Sequence, residues 1–252
     1  MIDTHCHLYL EDFDNDINEI IARATQEKVE RFYLPAINSN HHKQMIDLED
    51  SFPGKCFAMM GLHPCYVKED FGVELKEVEK YLSSRKFSAV GEIGIDLYWD
   101  TTFLKEQYEA FRKQIGWAVE NKLPIVIHSR NATRECIEVV KEFERKGITG
   151  IFHCFSGSEE EALEITGLGF YLGIGGVVTY KNSGLDKVLA GVDLKNLVLE
   201  TDAPYLTPVP YRGKRNESSY LPLISSKLAS IYSVPVEEVD RVTTLNATTI
   251  FG

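Results

Sequence analysis

Two histidines near the start of the chain, His5 and His7, could bind a metal ion. They are two residues apart, and side chains alternate between the two faces of a strand, so both imidazoles share a face if residues 2–7 form a strand. Histidine is the commonest metal ligand in proteins. The pair alone favours a simpler interpretation, a polar and frayed chain end, and the rest of the sequence must decide.

Four more polar residues stand at or just after the ends of short apolar segments that look like strands. They are Glu92, His128, His153 and Asp202. A single histidine in such a place is usually a core or rim residue. Four of the seven histidines of this chain occupy strand ends, however, and this concentration together with two carboxylates predicts a metal centre.

The predicted ligands divide into two groups. We expect His5, His7 and Asp202 to hold one divalent ion, and His128 and His153 to hold a second. Imidazole and carboxylate ligands together suit Zn²⁺, Mn²⁺ or similar ions, whereas Mg²⁺, the third candidate, prefers fewer nitrogens.

Glu92 has two carboxylate oxygens and falls between the two groups, so it is the candidate bridge between the ions. Two ions held close together activate a water and stabilise the attacking and leaving oxygens of a displacement. Asp202 would orient or deprotonate that water. Asp202 and Glu92 are therefore the candidate catalytic residues.

Two residues near the ligands are candidates for phosphate binding. Arg130 follows His128 by two positions, at the start of a predicted helix capped by Asn131 or Ser129, and a guanidinium beside a helix N-terminus binds phosphate well. A surface salt bridge is the alternative for Arg130. His63 ends the third predicted strand and could reach a phosphate or the metals.

A basic loop follows Asp202 and carries Arg212, Lys214 and Arg215. Such a loop is commonly just solvated. Because the chain has a net charge of −11, this local positive charge beside the predicted centre favours anion binding. The net charge itself argues against a protein that coats nucleic acid with its whole surface.

The elements that must position these residues are eight short apolar strands that alternate with helices, followed by two closing helices. Parallel strands covered by helices have this character, and the 252 residues fit one (β/α)₈ TIM barrel, a single domain spanning residues 1–252. An open doubly wound sheet is the alternative. A barrel brings the predicted ligands together, since active sites lie at the carboxyl ends of barrel strands.

Composition predicts a cytoplasmic protein. The five cysteines form no C-x-x-C pair, which is typical of reduced thiols. No apolar segment reaches the length of a membrane span, and the polar N-terminus does not resemble a signal peptide.

Motifs spread over the whole chain carry a family resemblance. They are Asp3-Thr4-His5-Cys6-His7-Leu8, Gly61-Leu62-His63-Pro64, Gly91-Glu92-Ile93-Gly94-Ile95-Asp96, His128-Ser129-Arg130, His153-Cys154-Phe155-Ser156-Gly157, Gly175-Gly176-Val177-Val178, Leu199-Glu200-Thr201-Asp202-Ala203-Pro204-Tyr205-Leu206 and Arg212-Gly213-Lys214-Arg215-Asn216-Glu217. In this order they resemble the TatD family of metal-dependent deoxyribonucleases, within the amidohydrolase-like barrels. One departure is Asn131, where many relatives have Asp.

The resemblance implies a (β/α)₈ barrel, a site for divalent metal and hydrolysis of DNA from an end, with single strands or ends as partner. It also supports all six predicted ligands. Two alternatives stay open, an amidohydrolase acting on a small amide, ester or aminoacyl ester, and a non-catalytic binding protein. Arg130 and the basic loop favour the nuclease, because a neutral small substrate gives them no role. The sequence leaves open the oligomeric state, the polarity of the exonuclease and the preference for DNA over RNA.

Overall fold

The computed structural model describes residues 1–252 and contains eight strands and nine α-helices. The strands are β1 (Ile2–Asp3), β2 (Arg31–Pro35), β3 (Cys56–Met59), β4 (Val90–Gly94), β5 (Ile125–His128), β6 (Gly150–Phe152), β7 (Tyr171–Ile174) and β8 (Leu197–Leu199). The helices are α1 (Ile17–Gln26), α2 (Ser39–Ser51), α3 (Phe71–Ser84), α4 (Leu104–Asn121), α5 (Thr133–Lys141), α6 (Glu159–Gly167), α7 (Leu185–Leu189), α8 (Leu221–Tyr232) and α9 (Val236–Phe251).

Every strand pair is parallel, and neighbouring strands follow the order of the chain. The ladders form two sheets, β1-β2-β3 and β4-β5-β6-β7-β8. A bridge between Met60 and Val90 joins β3 to β4, and the Thr4 amide donates to the Leu199 carbonyl at 3.0 Å, which joins β1 to β8. The predicted alternation of parallel strands with helices is confirmed.

The strands form because their apolar segments are buried on both faces. Ile125, Val126 and Ile127 of β5, for example, are all 0% exposed, as expected for parallel strands covered by helices. The helices present one apolar stripe to the strands; α1 buries Ile20 and Ala24, which are one helical turn apart. The main hydrophobic cluster comprises 59 buried residues.

The segment after β5 differs from the sequence prediction. Neither Asn131 nor Ser129 caps α5, because the cap position falls on Ala132 and no side chain accepts a hydrogen bond there. Asn131 instead adopts a left-handed backbone with φ of 54°, which asparagine tolerates better than most residues. The helix therefore begins three residues after Arg130. None of the helices combines the length and apolar character needed to cross a membrane.

Candidate metal centre

Glu92 lies at the middle of the centre, on β4, and is 2% exposed. Its Oε2 atom faces the two histidines that follow β1, at 3.2 Å from His5 Nε2 and 3.6 Å from His7 Nε2. Asp202 closes this side, since its Oδ1 lies 3.7 Å from His5 Nε2 and 3.6 Å from His7 Nε2. The structure thus brings these four predicted residues together.

The other oxygen of Glu92 faces a second group. Oε1 lies 2.8 Å from His128 Nδ1, 3.1 Å from His153 Nε2 and 3.3 Å from His63 Nε2. His128 ends β5 and His153 follows β6, so neighbouring strands deliver their imidazoles to one oxygen. Each Glu92 oxygen therefore has its own set of potential ligands.

Neighbouring histidines hold the two carboxylates of the centre ionised against the effect of burial. Burial alone would raise the pKa of Glu92, but His63, His153 and His5 hold it well below its usual range. Burial likewise opposes ionisation of Asp202, yet the neighbouring His7, His153 and His5 lower its pKa. Ionised carboxylates in a buried site require positive charge.

The histidines respond in two different ways. Burial, and then the neighbouring His153, lower the pKa of His5, which favours a neutral imidazole with a free lone pair. Burial also opposes protonation of His153, but Glu92 and Glu200 raise its pKa well above the ordinary value. Both ring nitrogens of His5 are buried without a hydrogen-bond partner, which costs about 1–3 kcal/mol for each unsatisfied group.

The tautomer of His7 fits a metal ligand. The Tyr9 hydroxyl donates to the Pro35 carbonyl at 2.6 Å, so its oxygen is left to accept from His7 Nδ1 at 3.0 Å. Nε2 of His7 then carries a lone pair that points towards the oxygens of Glu92 and Asp202. A lone pair facing two anions is unfavourable unless a cation lies between them, and the residues present therefore fit a divalent ion.

Two more carboxylates lie behind the second group of histidines. Asp96 Oδ2 is 2.8 Å from His128 Nε2, and Glu200 Oε1 is 3.2 Å from His153 Nδ1. Burial alone would raise the pKa of Asp96, but His128 and nearby amides hold it below its usual range. Carboxylates in this position orient metal-ligating histidines and raise their basicity.

The loop after β8 places Asp202 through hydrogen bonds. Asp202 has a left-handed backbone with φ of 57°, and its amide donates to the His5 carbonyl at 2.9 Å. Asn216 Nδ2 donates to the carbonyls of Thr201 and Tyr205 at 2.7 and 2.6 Å. These bonds fix a conformation that is uncommon for a residue other than glycine.

The buried Asp3 ties this loop to β1. Its carboxylate accepts from the Thr201 amide and hydroxyl at 3.0 and 2.6 Å and from the Ser218 hydroxyl at 2.6 Å. Burial raises the pKa of Asp3 to about 6, although the bonds from Ser218 and Thr201 oppose this. Asp3 thus holds β1 and the Asp202 loop in register.

A cleft of about 760 Å³ opens onto the centre. Its walls include Glu92 and Asp202, and also the two candidate phosphate ligands, Arg130 and His63. The Arg130 guanidinium carbon lies 3.9 Å from the centre of the Tyr98 ring. Arg130 has no carboxylate within ion-pair distance, so the surface salt bridge considered for it is absent.

The basic loop lies differently from Arg130. Its three cationic residues do not line the cleft. Arg215 is paired with Asp16 at 2.6 Å and also donates to the Asp12 carbonyl. Arg212 lies over the Tyr180 ring at 4.4 Å and Lys214 over the Tyr211 ring at 5.5 Å. Of the three cationic residues in the basic loop, Arg212 and Lys214 therefore have no carboxylate partner, whereas Arg215 has one.

Sequence reasoning assigned no role to several residues that surround the ligands. They are Asp3, Tyr9, Asp96, Glu200 and Asn216. Asp96 and Glu200 had a detectable signal, because each is an acidic residue at or near the end of a predicted strand, like the ligands themselves.

The sequence matches the family model described as TatD related DNase over residues 2–252. The chain belongs to this family. An uncharacterised metal-dependent hydrolase of Bacillus subtilis, YabD, is 37% identical over 252 residues, which cover 100% of this chain and 98% of the relative. A TatD family protein of Klebsiella pneumoniae, named 3'-5' ssDNA/RNA exonuclease TatD, is 30% identical and is covered to 98%.

The crystal structure of YjjV, a TatD homologue from Escherichia coli, superimposes with a TM-score of 0.94 at 30% identity and covers 100% of this chain and 97% of its own. The chain is thus a metal-dependent hydrolase of the TatD family with a TIM-barrel-type α/β fold, as the sequence predicted.

Proposed function

We propose that this TatD family hydrolase cleaves phosphodiester bonds of DNA, from an end of a single strand. The observation that carries the proposal is the division at Glu92, whose two oxygens each face a separate set of ligands. The name of the Klebsiella relative supports the same substrate class. The Arg130 cation in the cleft wall supports an anionic substrate.

We propose two divalent ions, with Mg²⁺, Mn²⁺ and Zn²⁺ as candidates. His5, His7 and Asp202 would hold one ion, and His128 and His153 the other. The donor sets His5–His7–Glu92 and Glu92–His128–His153 each bring their ligand atoms within 4.8 Å of one another. When bound, the ions would lower the pKa of a water and offset charge on the phosphate oxygens.

Glu92 belongs to both donor sets, so it would bridge the ions. Its carboxylate stays ionised in the buried centre because four histidines surround it with positive charge or hydrogen bonds. The ionised Glu92 carboxylate thus has one group of histidines on each of its two oxygens.

Asp202 is the proposed proton acceptor. It lines the cleft, and its side chain keeps 14% of its surface accessible. Because its pKa is lowered, the carboxylate is ionised at neutral pH and able to take a proton from a water in the cleft. Asp202 is held in place for this role by the bond that its amide donates to the His5 carbonyl, and by the bonds that Asn216 donates to the carbonyls of Thr201 and Tyr205.

Arg130 and His63 are the proposed phosphate contacts within the cleft. Arg130 lies over the Tyr98 ring, with its guanidinium carbon 3.9 Å from the ring centre. No carboxylate pairs with it, so its N–H groups are available to phosphate oxygens. We propose Arg212 and Lys214 as contacts for more distant phosphates, with Arg215 a weaker candidate because Asp16 neutralises it.

The five free thiols support the expected cytoplasmic location.

The test is a cleavage assay with chelated protein that is reloaded with Mg²⁺, Mn²⁺ or Zn²⁺ in turn. One substrate is a single-stranded oligonucleotide labelled at the 5' or the 3' end. The others are a panel of small amides, esters and aminoacyl esters. We expect stepwise shortening of the oligonucleotide from one end and no turnover of the esters. Turnover of the esters with an intact oligonucleotide would instead establish the amidohydrolase alternative.

A further inference from the structure

Large aromatic side chains are exposed around the mouth of the cleft. Tyr66 is 41% exposed, Trp99 66% and Tyr205 52%, and all three line the cleft. We call these three residues the aromatic rim. An exposed tryptophan is costly in water, and several exposed aromatic rings that line one cleft indicate a ligand surface.

Two members of the aromatic rim lie against histidines of the metal centre. The Tyr66 ring lies edge-on to His63 with centroids 6.1 Å apart. The Tyr205 ring lies edge-on to His7 at 6.2 Å. These two rings therefore border the cleft in which a phosphodiester would meet Glu92 and Asp202.

Trp99 is connected to the centre through Asp96. Asp96 Oδ1 accepts from the amides of Tyr98 and Trp99 at 2.9 and 2.8 Å, while Oδ2 contacts His128. The Arg130 guanidinium carbon lies 5.2 Å from the Trp99 ring. The Asp96 carboxylate thus fixes the loop that carries Trp99 relative to His128, a proposed metal ligand.

We infer that the aromatic rim, with Trp99 as its main member, stacks on unpaired bases next to the scissile phosphodiester. The inference rests on the proposed function. A base stacked on an aromatic ring contributes independently of its identity, which suits an enzyme that shortens strands of any sequence. Bases within a duplex hide their faces, so the rim selects single-stranded ends.

The occupant follows from the chemistry of the cleft. The cleft is lined by the aromatic rim, by the Arg130 guanidinium and by the carboxylates of the centre. A purely apolar ligand would leave Arg130 unused, and a small anion would leave the rim unused. A nucleotide chain carries one base and one phosphate in each repeating unit of its backbone. Single-stranded nucleic acid is therefore the ligand class that uses both sets of groups.

The test compares two single-stranded oligonucleotides of equal length. One is normal, and the other has abasic residues at the two terminal positions of each end. Steady-state kcat and KM are measured for wild type, Trp99→Ala, Trp99→Phe and a control, Leu245→Ala, which removes a 57% exposed side chain of α9 far from the rim in sequence.

We expect Trp99→Ala to raise KM for the normal strand on the order of 10- to 100-fold, the range that stacking contributions span. Trp99→Phe should recover most of the loss, and Leu245→Ala should match wild type. For the abasic strand, wild type should already show a raised KM, and Trp99→Ala should change it no further.

An equal change for both strands in Trp99→Ala, or no change for the normal strand, would overturn the stacking role while leaving the nuclease intact. Failure of wild type to cleave either strand would remove the proposed function and the stacking role together. The two failures are therefore distinguishable. Circular dichroism of each variant checks that the fold is retained.

Discussion

Asp96 Oδ2 and His128 Nε2 lie 2.8 Å apart, although 32 residues separate them in the chain. Burial alone would lower the pKa of His128, but the bonds with Asp96 and Glu92 raise it above its ordinary value. The contact leaves Nδ1 of His128 facing Glu92. Asp96 therefore sets which nitrogen of His128 is presented to the centre.

Asp96→Asn should weaken metal binding by about 10- to 100-fold, the usual effect of removing a carboxylate behind a ligating histidine. The measurement is calorimetric titration of chelated protein with Mn²⁺. Asp100→Asn is the matched control, because Asp100 lies on the same loop but pairs with Lys68 at 2.6 Å. Equal affinities in the two variants would show that Asp96 does not orient His128.

Arg130→Ala should raise KM for a labelled oligonucleotide more than it lowers kcat, because the guanidinium is proposed to grip phosphate before and during the reaction. Arg130→Lys should recover only part of the loss, since a lysine lacks the planar group that lies on Tyr98. The salt dependence of DNA binding should become shallower in Arg130→Ala by about one phosphate contact. An unchanged salt slope would remove Arg130 from the phosphate site.

Asp202→Asn should lower kcat by about 10²- to 10⁴-fold, the usual contribution of a positioned proton acceptor. DNA binding should be retained or become tighter, since a negative charge has left the vicinity of the phosphates. Kinetics with saturating metal, together with fluorescence anisotropy of a labelled strand, separate the two effects. A variant that keeps most of its kcat would show that Asp202 is neither base nor essential ligand.

Glu217→Gln should destabilise the fold, and the effect should depend on pH. Arg23 contacts the Glu217 carboxylate at 2.9 and 2.7 Å; burial alone would raise the pKa of Glu217, but this bond holds it below its usual value. A depressed folded-state pKa gives stability that is present above the unfolded-state pKa and is lost as pH falls through the folded-state pKa. We expect a loss of about 2 kcal/mol at pH 7.

The difference in the free energy of unfolding between wild type and Glu217→Gln should stay constant above about pH 5.5, beyond the ordinary range of a glutamate pKa. As pH falls further, this difference should shrink because the Glu217 carboxyl of wild type becomes protonated. Urea denaturation of chelated protein across this range measures it. A suitable control is Glu238→Gln, which removes an exposed carboxylate on α9 paired with Arg241, and which should have little effect at any pH. A difference that grows towards low pH would contradict the assignment.

The sequence could predict that the candidate ligands converge, because the placement of most of them depends on one general rule. Glu92, His128 and His153 stand at or near the ends of parallel strands, and such ends meet at one rim. The strand predicted over residues 2–7 was wrong, because β1 ends at Asp3. His5 and His7 follow the strand rather than sharing one of its faces, although both still face Glu92 Oε2. The apolar strands are long enough to be recognised, so the α/β fold followed from the same segments.

Contacts made by loops could not be predicted in this way. Arg215 is held by Asp16, 199 residues away in the chain, and nothing in the spacing of the basic loop signals that pairing. The cap of α5 was predicted wrongly because Asn131 enters a left-handed turn that depends on the surrounding loops. The role of Asp96 depends on the conformation of the loop at residues 96–99, which places the Asp96 carboxylate against His128.

The proposed role of Glu92 is to join two metal-binding groups. It is tested most directly by counting metal ions bound to folded protein, by elemental analysis after chelation and reloading, in wild type and in Glu92→Gln. We predict up to two divalent ions in wild type and a loss of metal from both groups in Glu92→Gln, because each Glu92 oxygen faces one group. Folded wild type that binds no divalent ion, or Glu92→Gln that binds as many ions as wild type with equal affinity, would contradict the account.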